Sequence, residues 1–154
     1  VASRILDAGI SVTVLGPRPL AGCGWQPDRT PREGPLAALG AFRPVSELVF
    51  VCSCDLPLFD ARIVTLLEQA IGDCEAAIPF SEDRLQPLCA LYRAEALARL
   101  PAWLQSGDRR VTKWAEALRH AVLPTEALTR HGLSPRCVCS ANTPEELSRL
   151  LRLA

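Results

Sequence analysis

Apolar positions along the chain follow two spacings that take turns from one end to the other. Residues 1–9, "VASRILDAG", carry a helical stripe that stops at Gly9, and "ISVTVLG" (10–16) follows as a strand. "CGWQPD" (23–28) reads as a short strand, and "GPLAALGAF" (34–42) as a helix entered through Gly34 and Pro35. "ELVFVCS" (47–53) has the length and β-branched content of a strand buried on both faces. In "DARIVTLLEQAI" (60–71) the apolar residues Ile63, Leu66, Leu67 and Ala70 return to helical spacing, and "EAAIPF" (75–80) returns to a strand. After a turn at "SEDR", "LQPLCALYR" (85–93) reads as a strand that Pro87 places at an edge or a bulge. Helices over 94–106, split or kinked at Pro101, and over 111–119 come next, then strands "HAVLP" (120–124) and "RCVCS" (136–140). The closing helix has a defined start in "NTPEEL": Thr143 caps, Pro144 takes the first helical position and Glu146 completes a capping box. Alternation on this scale predicts an α/β fold, a three-layer arrangement around a mostly parallel sheet, in a single domain over 1–154.

Composition narrows the function classes. The 154 residues are 49% hydrophobic and 22% charged with zero formal net charge, a globular balance that excludes disorder and supplies no overall electrostatic footprint for nucleic acid or an anionic membrane. The apolar runs have strand length, far short of a membrane span, and no signal segment opens the chain, so a cytoplasmic protein is expected. Seven cysteines among apolar neighbours suit reduced, buried thiols better than a disulfide framework. No Met occurs and the chain opens on a helix already in progress, so the natural start is expected to lie upstream.

Asp55 is the first candidate for chemistry. It follows the apolar run "LVFVCSC", at the carboxyl end of a strand, where open α/β sheets bind ligands. Read from the residues alone, it is either a metal or phosphate ligand or a turn residue before Pro57.

Five stretches together resemble one family. "EGPLAAL" (33–39), "VCSCDLPLFD" (51–60), "QPLCALYR" (86–93), "LQSGDRRV" (104–111) and "ANTPEEL" (141–147) occur in the order and at about the spacing of the molybdenum cofactor guanylyltransferase (MobA) family. The resemblance implies a Rossmann-like nucleotidyltransferase fold that joins GMP from GTP to molybdopterin, with magnesium and release of pyrophosphate. It also implies that the first strand and its glycine-rich, lysine-bearing phosphate loop are missing, that the chain is N-terminally truncated, and that it is inactive alone. The nearest glycine cluster, "GPRPLAGCG" (16–24), has no lysine and reads as a turn.

Carried onto this sequence, the resemblance makes Asp55 the Mg2+ ligand and catalytic carboxylate, since magnesium takes one or two carboxylates with phosphate oxygens and water. Asp28, Gly34, Pro35 and Leu36, with Asp55, are the implied nucleotide contacts; the alternatives for Asp28 and for 34–36 are a turn aspartate and a simple helix start. Gln86, Arg109, Arg110 and Asn142 are the implied pterin contacts, although paired arginines elsewhere form only a solvated face. Ser140 stands where the family usually has Asn. Other readings are a cytidylyltransferase or another NTP transferase of the same fold, a non-catalytic relative, and a zinc module built on Cys52, Cys54, Cys137 and Cys139. A Cys-His hydrolase is not supported by the surroundings of His120 and His131.

Overall fold

The computed structural model describes residues 1–28 and 33–152. Helix α1 (Ala2–Asp7) leads to β1 (Thr13–Gly16), β2 (Gly24–Pro27), α2 (Pro35–Ala41), β3 (Leu48–Cys52), α3 (Arg62–Ile71) and β4 (Ala76–Ser81). There follow β5 (Arg84–Leu85), β6 (Cys89–Arg93), α4 (Ala94–Ala98), α5 (Leu100–Gln105), α6 (Val111–Ala117), β7 (His120–Leu123), α7 (Thr125–Arg130), a 3₁₀ turn over Pro135–Val138, and α8 (Pro144–Arg152).

Side-chain alternation along the strands builds the three layers. Leu48, Phe50 and Cys52 of β3 face one core with Cys89 and Leu91 of β6 and Ala77 of β4, covered by Ile63 and Leu67 of α3, Leu128 of α7, Val138 and Leu150. Val49 and Val51 face the opposite core with Ala90, Tyr92, Ala76 and Ile78, covered by Leu36 of α2, Leu97, Leu100, and Trp114 of α6. A period of two on the sheet and 3.6 on the helices delivers each apolar stripe to one of these cores. β1 feeds the second core through Leu15, while Val12 just before it packs in the first, so this segment lies in the middle layer.

The sheet is mixed. β3, β4 and β7 run the same way, but β6 enters between β3 and β4 antiparallel to both, and β7 pairs parallel with β4. β1 and β2 form a separate parallel pair. β4 turns into β5 through Glu82 and Asp83, both at positive φ, as a two-residue hairpin requires.

Three local expectations are corrected. β6 is an interior strand, not an edge; Pro87 lies before it, and its carbonyl accepts the Tyr92 hydroxyl at 2.7 Å, so no ladder donor is lost. "RCVCS" forms no strand. Ser134 Oγ accepts from Arg136 N and Pro135 opens a 3₁₀ turn whose Cys137 and Val138 are buried, so a local cap wins over the β-branched pattern. Finally, residues 125–130 form a helix that was not expected; Pro124 precedes it and Leu128 alone is fully buried, a stripe too short to register as a period.

Candidate active site

Asp55 stands where the sequence places it, three residues beyond the last paired position of β3. The turn is pinned from both sides. Ser53 N donates to the Leu88 carbonyl at 2.8 Å, extending the β3–β6 ladder by one rung, and Leu56 and Phe59 are buried in the first core. These anchors leave Asp55 half-buried at the surface. Its Oδ1 accepts the Ser53 hydroxyl, and its carbonyl accepts Ala141 N at 2.9 Å. The second bond brings in the segment before α8, and an open cleft of ≈ 380 Å³ results, lined by Cys54, Asp55, Pro57, Ala141, Asn142 and Leu147 among others.

Asn142 is fixed by its backbone. Its N–H donates to Glu146 Oε2 at 2.7 Å, while Glu146 N donates to Thr143 Oγ1 at 3.1 Å and Thr143 N to Glu146 Oε2 at 3.3 Å. The expected capping box is thus present, and Glu146 serves one further amide. The Asn142 side chain is exposed at the cleft.

A second group of expected residues gathers at the start of α2. Gly34 has φ +87 and ψ 171, a conformation open to glycine alone, and Pro35 follows at the first helical position. Leu36 is fully buried in the second core, so its side chain cannot meet a base or ribose and only its backbone is available. Asp28 follows β2 directly and continues its ladder, Asp28 N donating to the Gly16 carbonyl at 3.4 Å. Residues 29–32, between Asp28 and Glu33, lie outside the described residues.

Arg109 joins this second group, because its guanidinium pairs with Glu33 beside Gly34. Arg110 is held by its own loop: Arg110 Nε and N both donate to Asp108 Oδ1, at 2.9 and 3.0 Å. The Arg110 guanidinium keeps the Asp108 carboxyl well below the usual carboxylate range. Gln86 belongs to neither group. It is buried, and its Nε2 donates to the Ser81 carbonyl at 3.0 Å, bracing the β4–β5 hairpin. Ser81 Oγ in turn donates to the Pro135 carbonyl at 3.1 Å, so Gln86 reaches the segment before half-buried Ser140 only through Ser81.

The residues that sequence reasoning missed are Ser53, Ala141 and Glu33. Ser53 carried a signal, a hydroxyl two residues before an acid at a strand end. The other two act through long-range contacts that leave no local pattern.

The donor set at Asp55 suits a hard cation in part: one carboxylate, Oδ1 held by a hydroxyl, and no hydrogen bond from any described residue to Oδ2. Among the described residues no group of three or more His, Cys, Asp or Glu could enclose a metal alone. The thiols do not form one. Cys54 is exposed, whereas Cys89, Cys137 and Cys139 are buried, and burial pushes the Cys137 thiol up to about 12. His120 is turned to the Leu118 carbonyl through Nδ1 at 2.9 Å.

A family model described as a MobA-like NTP transferase domain matches residues 1–122. The chain belongs to this family. Among curated proteins it is 32% identical over 124 residues to a "Probable molybdenum cofactor guanylyltransferase" of Natronomonas pharaonis, covering 80% of this chain and 60% of that one. It is 30% identical over 139 residues to a protein of the same name from Nostoc sp., covering 84% and 61%. The chain spans about three fifths of the length of these curated relatives. Among solved structures, molybdopterin-guanine dinucleotide biosynthesis protein A of Archaeoglobus fulgidus superposes with TM-score 0.68 at 24% identity, over 85% of this chain and 68% of that one. The likeness establishes the MobA-like nucleotidyltransferase fold. The matched residues 1–122 hold Asp55, Gly34 and Arg109; Asn142 lies beyond them. Among the described residues of this MobA-like chain, no helix is long and apolar enough to cross a membrane.

Proposed function

We propose that the protein to which this chain belongs transfers GMP from GTP to molybdopterin, releasing pyrophosphate, in the cytoplasm. The observation that carries the reading is Asp55, held by Ser53 and Ala141 at the mouth of a cleft beyond the carboxyl end of β3, in a MobA-like NTP transferase domain. Joining two phosphorylated substrates brings anions together, so the site must offer positive charge and fixed donors rather than a strong nucleophile. Mg2+ would be held by Asp55 and would neutralise the phosphate charge. Ser53 orients that carboxylate, and Ala141 fixes the turn against the segment carrying Asn142.

Nucleotide binding is assigned to Asp28 and the Gly34–Pro35–Leu36 backbone. The pterin side is assigned to Asn142, Arg109 and Arg110, with Gln86 acting by bracing Ser81 rather than by touching substrate. Arg109 pairs with Glu33 beside Gly34, and this supports assigning it to the nucleotide side as well. A strand and phosphate loop supplied by residues outside this sequence complete the proposal. β1 and β3 each keep an edge without a strand partner among the described residues, and the relatives are longer.

The test is pyrophosphate release by the protein extended upstream, given GTP or CTP with molybdopterin and a magnesium series. Magnesium-dependent release with GTP is expected. Release with CTP alone would move the assignment to a cytidylyltransferase, and no release or nucleotide binding with either would overturn it.

A further inference from the structure

Cys52 and Cys89 are direct cross-strand partners at the last rung of the β3–β6 ladder. The hydrogen-bond pattern defines what kind of pair they are. Ser53 N donates to the Leu88 carbonyl on one side of them, and at the far end Ala94 N donates to the Glu47 carbonyl, so 53/88 and 47/94 are hydrogen-bonded rungs. Rungs alternate in an antiparallel ladder, which makes 52/89 a non-hydrogen-bonded one. Cys89 N agrees: it turns away and donates to the Gln86 carbonyl at 3.0 Å. Such rungs bring Cα atoms to about 4.5 Å, with the side chains on one face and closer than at other rungs. That lies within the span a disulfide bridges, about 4.4–6.8 Å between Cα atoms.

The two thiols are unequal in access. Cys89 is 1% exposed, in a core that also holds Cys137 and Cys139, while Cys52 is half-buried and donates its S–H to the Ser53 carbonyl at 3.3 Å. An oxidant arriving from outside therefore meets Cys52 first, and the sulfur opposite it is Cys89.

We propose that Cys52 and Cys89 form a reversible intramolecular disulfide on exposure to a hydroperoxide, a modification site beneath the Asp55 turn. Cys52 sulfur attacks the peroxide, the O–O bond breaks, and a sulfenic acid and an alcohol (water, from hydrogen peroxide) result. Cys89 sulfur then attacks the sulfenyl sulfur; the S–S bond forms, the S–O bond breaks, and water leaves with the Cys89 proton. Two thiols are oxidised and one peroxide is reduced. A dithiol reductant reverses the bond by exchange. The bridge locks the last rung of β3 immediately before Ser53, so the oxidised protein unfolds at a higher temperature than the reduced one.

The experiment treats folded protein with hydrogen peroxide, blocks remaining thiols after unfolding, and maps peptides without reduction. Cys52 and Cys54 fall in one tryptic peptide, so mapping is done in Cys54→Ser as well as in the unaltered protein. Expected are the loss of two thiols per chain, a linked pair of peptides holding Cys52 and Cys89 in both proteins, and its disappearance on reduction. Recovery of Cys52 and Cys89 as blocked thiols with only Cys54 oxidised would overturn the proposal. So would a bridge joining either one to Cys137 or Cys139, or loss of the linked pair in Cys54→Ser. Fragmentation of the linked peptides from the unaltered protein assigns the bridge to Cys52 or Cys54 independently, and the outcome in Cys54→Ser is read only on protein whose thermal midpoint matches the unaltered one, as the exposed position of Cys54 leads us to expect.

Discussion

Ala141 donates its backbone N–H to the carbonyl of Asp55 at 2.9 Å, which makes the turn that ends β3 and the segment that enters α8 one structure. Among the described residues the hydrogen bond that joins the two is backbone to backbone, so the Asn142 side chain and the Asp55 carboxylate, with Ser53 on its Oδ1, line the cleft. This arrangement lets charge be separated from structure by substitution. Asp55→Asn keeps an oxygen able to accept from Ser53 and removes the charge, so the thermal midpoint should hold while magnesium-dependent pyrophosphate release in the upstream-extended protein falls by about 100-fold or more. Ser53→Ala keeps the charge and removes the bond that orients it, a loss of about tenfold. A magnesium titration of both variants decides between ligand and cap. Near-normal release by Asp55→Asn at saturating magnesium would leave Asp55 as a turn residue.

At Gly34 the backbone, not crowding, sets the cost of change. A Cβ added there would meet nothing within 4 Å, yet φ of +87 is a conformation that side-chain-bearing residues rarely adopt. Gly34→Ala should destabilise by about 1–3 kcal/mol through strain at the entrance of α2. Urea unfolding measures it; a neutral result would mean that α2 can be entered from an ordinary extended residue.

The capping box before α8 serves both the helix and the cleft. Thr143→Ala removes the acceptor for Glu146 N and should cost about 1 kcal/mol. Glu146→Ala releases two amides, including that of Asn142, so it should additionally loosen the cleft. Amide hydrogen exchange at Asn142 is the readout: it should speed up in Glu146→Ala and much less in Thr143→Ala.

What could be read in advance, and what could not, follows from the range of the forces involved. The three layers, the Gly34–Pro35 helix entry and the Thr143–Glu146 box are local periods or caps, and each was legible from a few neighbouring residues. Asp55 was legible too, because an apolar strand ending on an acid is a local event. Its partner Ala141 was not, since a backbone N–H carries no signature in the side-chain code. The position of β6 failed for a related reason. Pro87 argued for an edge, and only the chain's return between β3 and β4 shows that the strand begins beyond it. "RCVCS" has β-branched and thiol content, but Ser134 and Pro135 offered a local hydrogen bond that the ladder could not match. The arginines show the remaining limit: both were placed correctly after a glycine turn, but their acid partners, Asp108 and distant Glu33, are fixed by loop geometry.

The buried thiols make the fold sensitive to alkali, and Cys137 gives the sign. Burial holds its proton up to about 12 in the folded chain, against an ordinary value of 9.0. Below 9.0 folded and unfolded chains both keep the proton, and the contribution of the neutral thiol is complete. As pH rises past 9.0 the unfolded chain gives up its proton while the folded chain does not, so the equilibrium moves toward unfolding until about 12. Burial raises Cys139 as well, and Cys89 is raised by its Cys52 neighbour and by burial, so they act in the same direction. Cys137→Ala should therefore show two effects of opposite kind. At neutral pH it should be less stable, on the order of 1 kcal/mol, from the small void left in the first core. Between roughly pH 8 and roughly pH 9.5, below the ordinary range of the buried Tyr92 phenol, its stability should fall less steeply than that of the unaltered protein. Urea midpoints collected across that interval under reducing conditions test it. Two parallel curves would mean that the Cys137 thiol titrates alike in both states, and that the core around it admits enough water to solvate a thiolate.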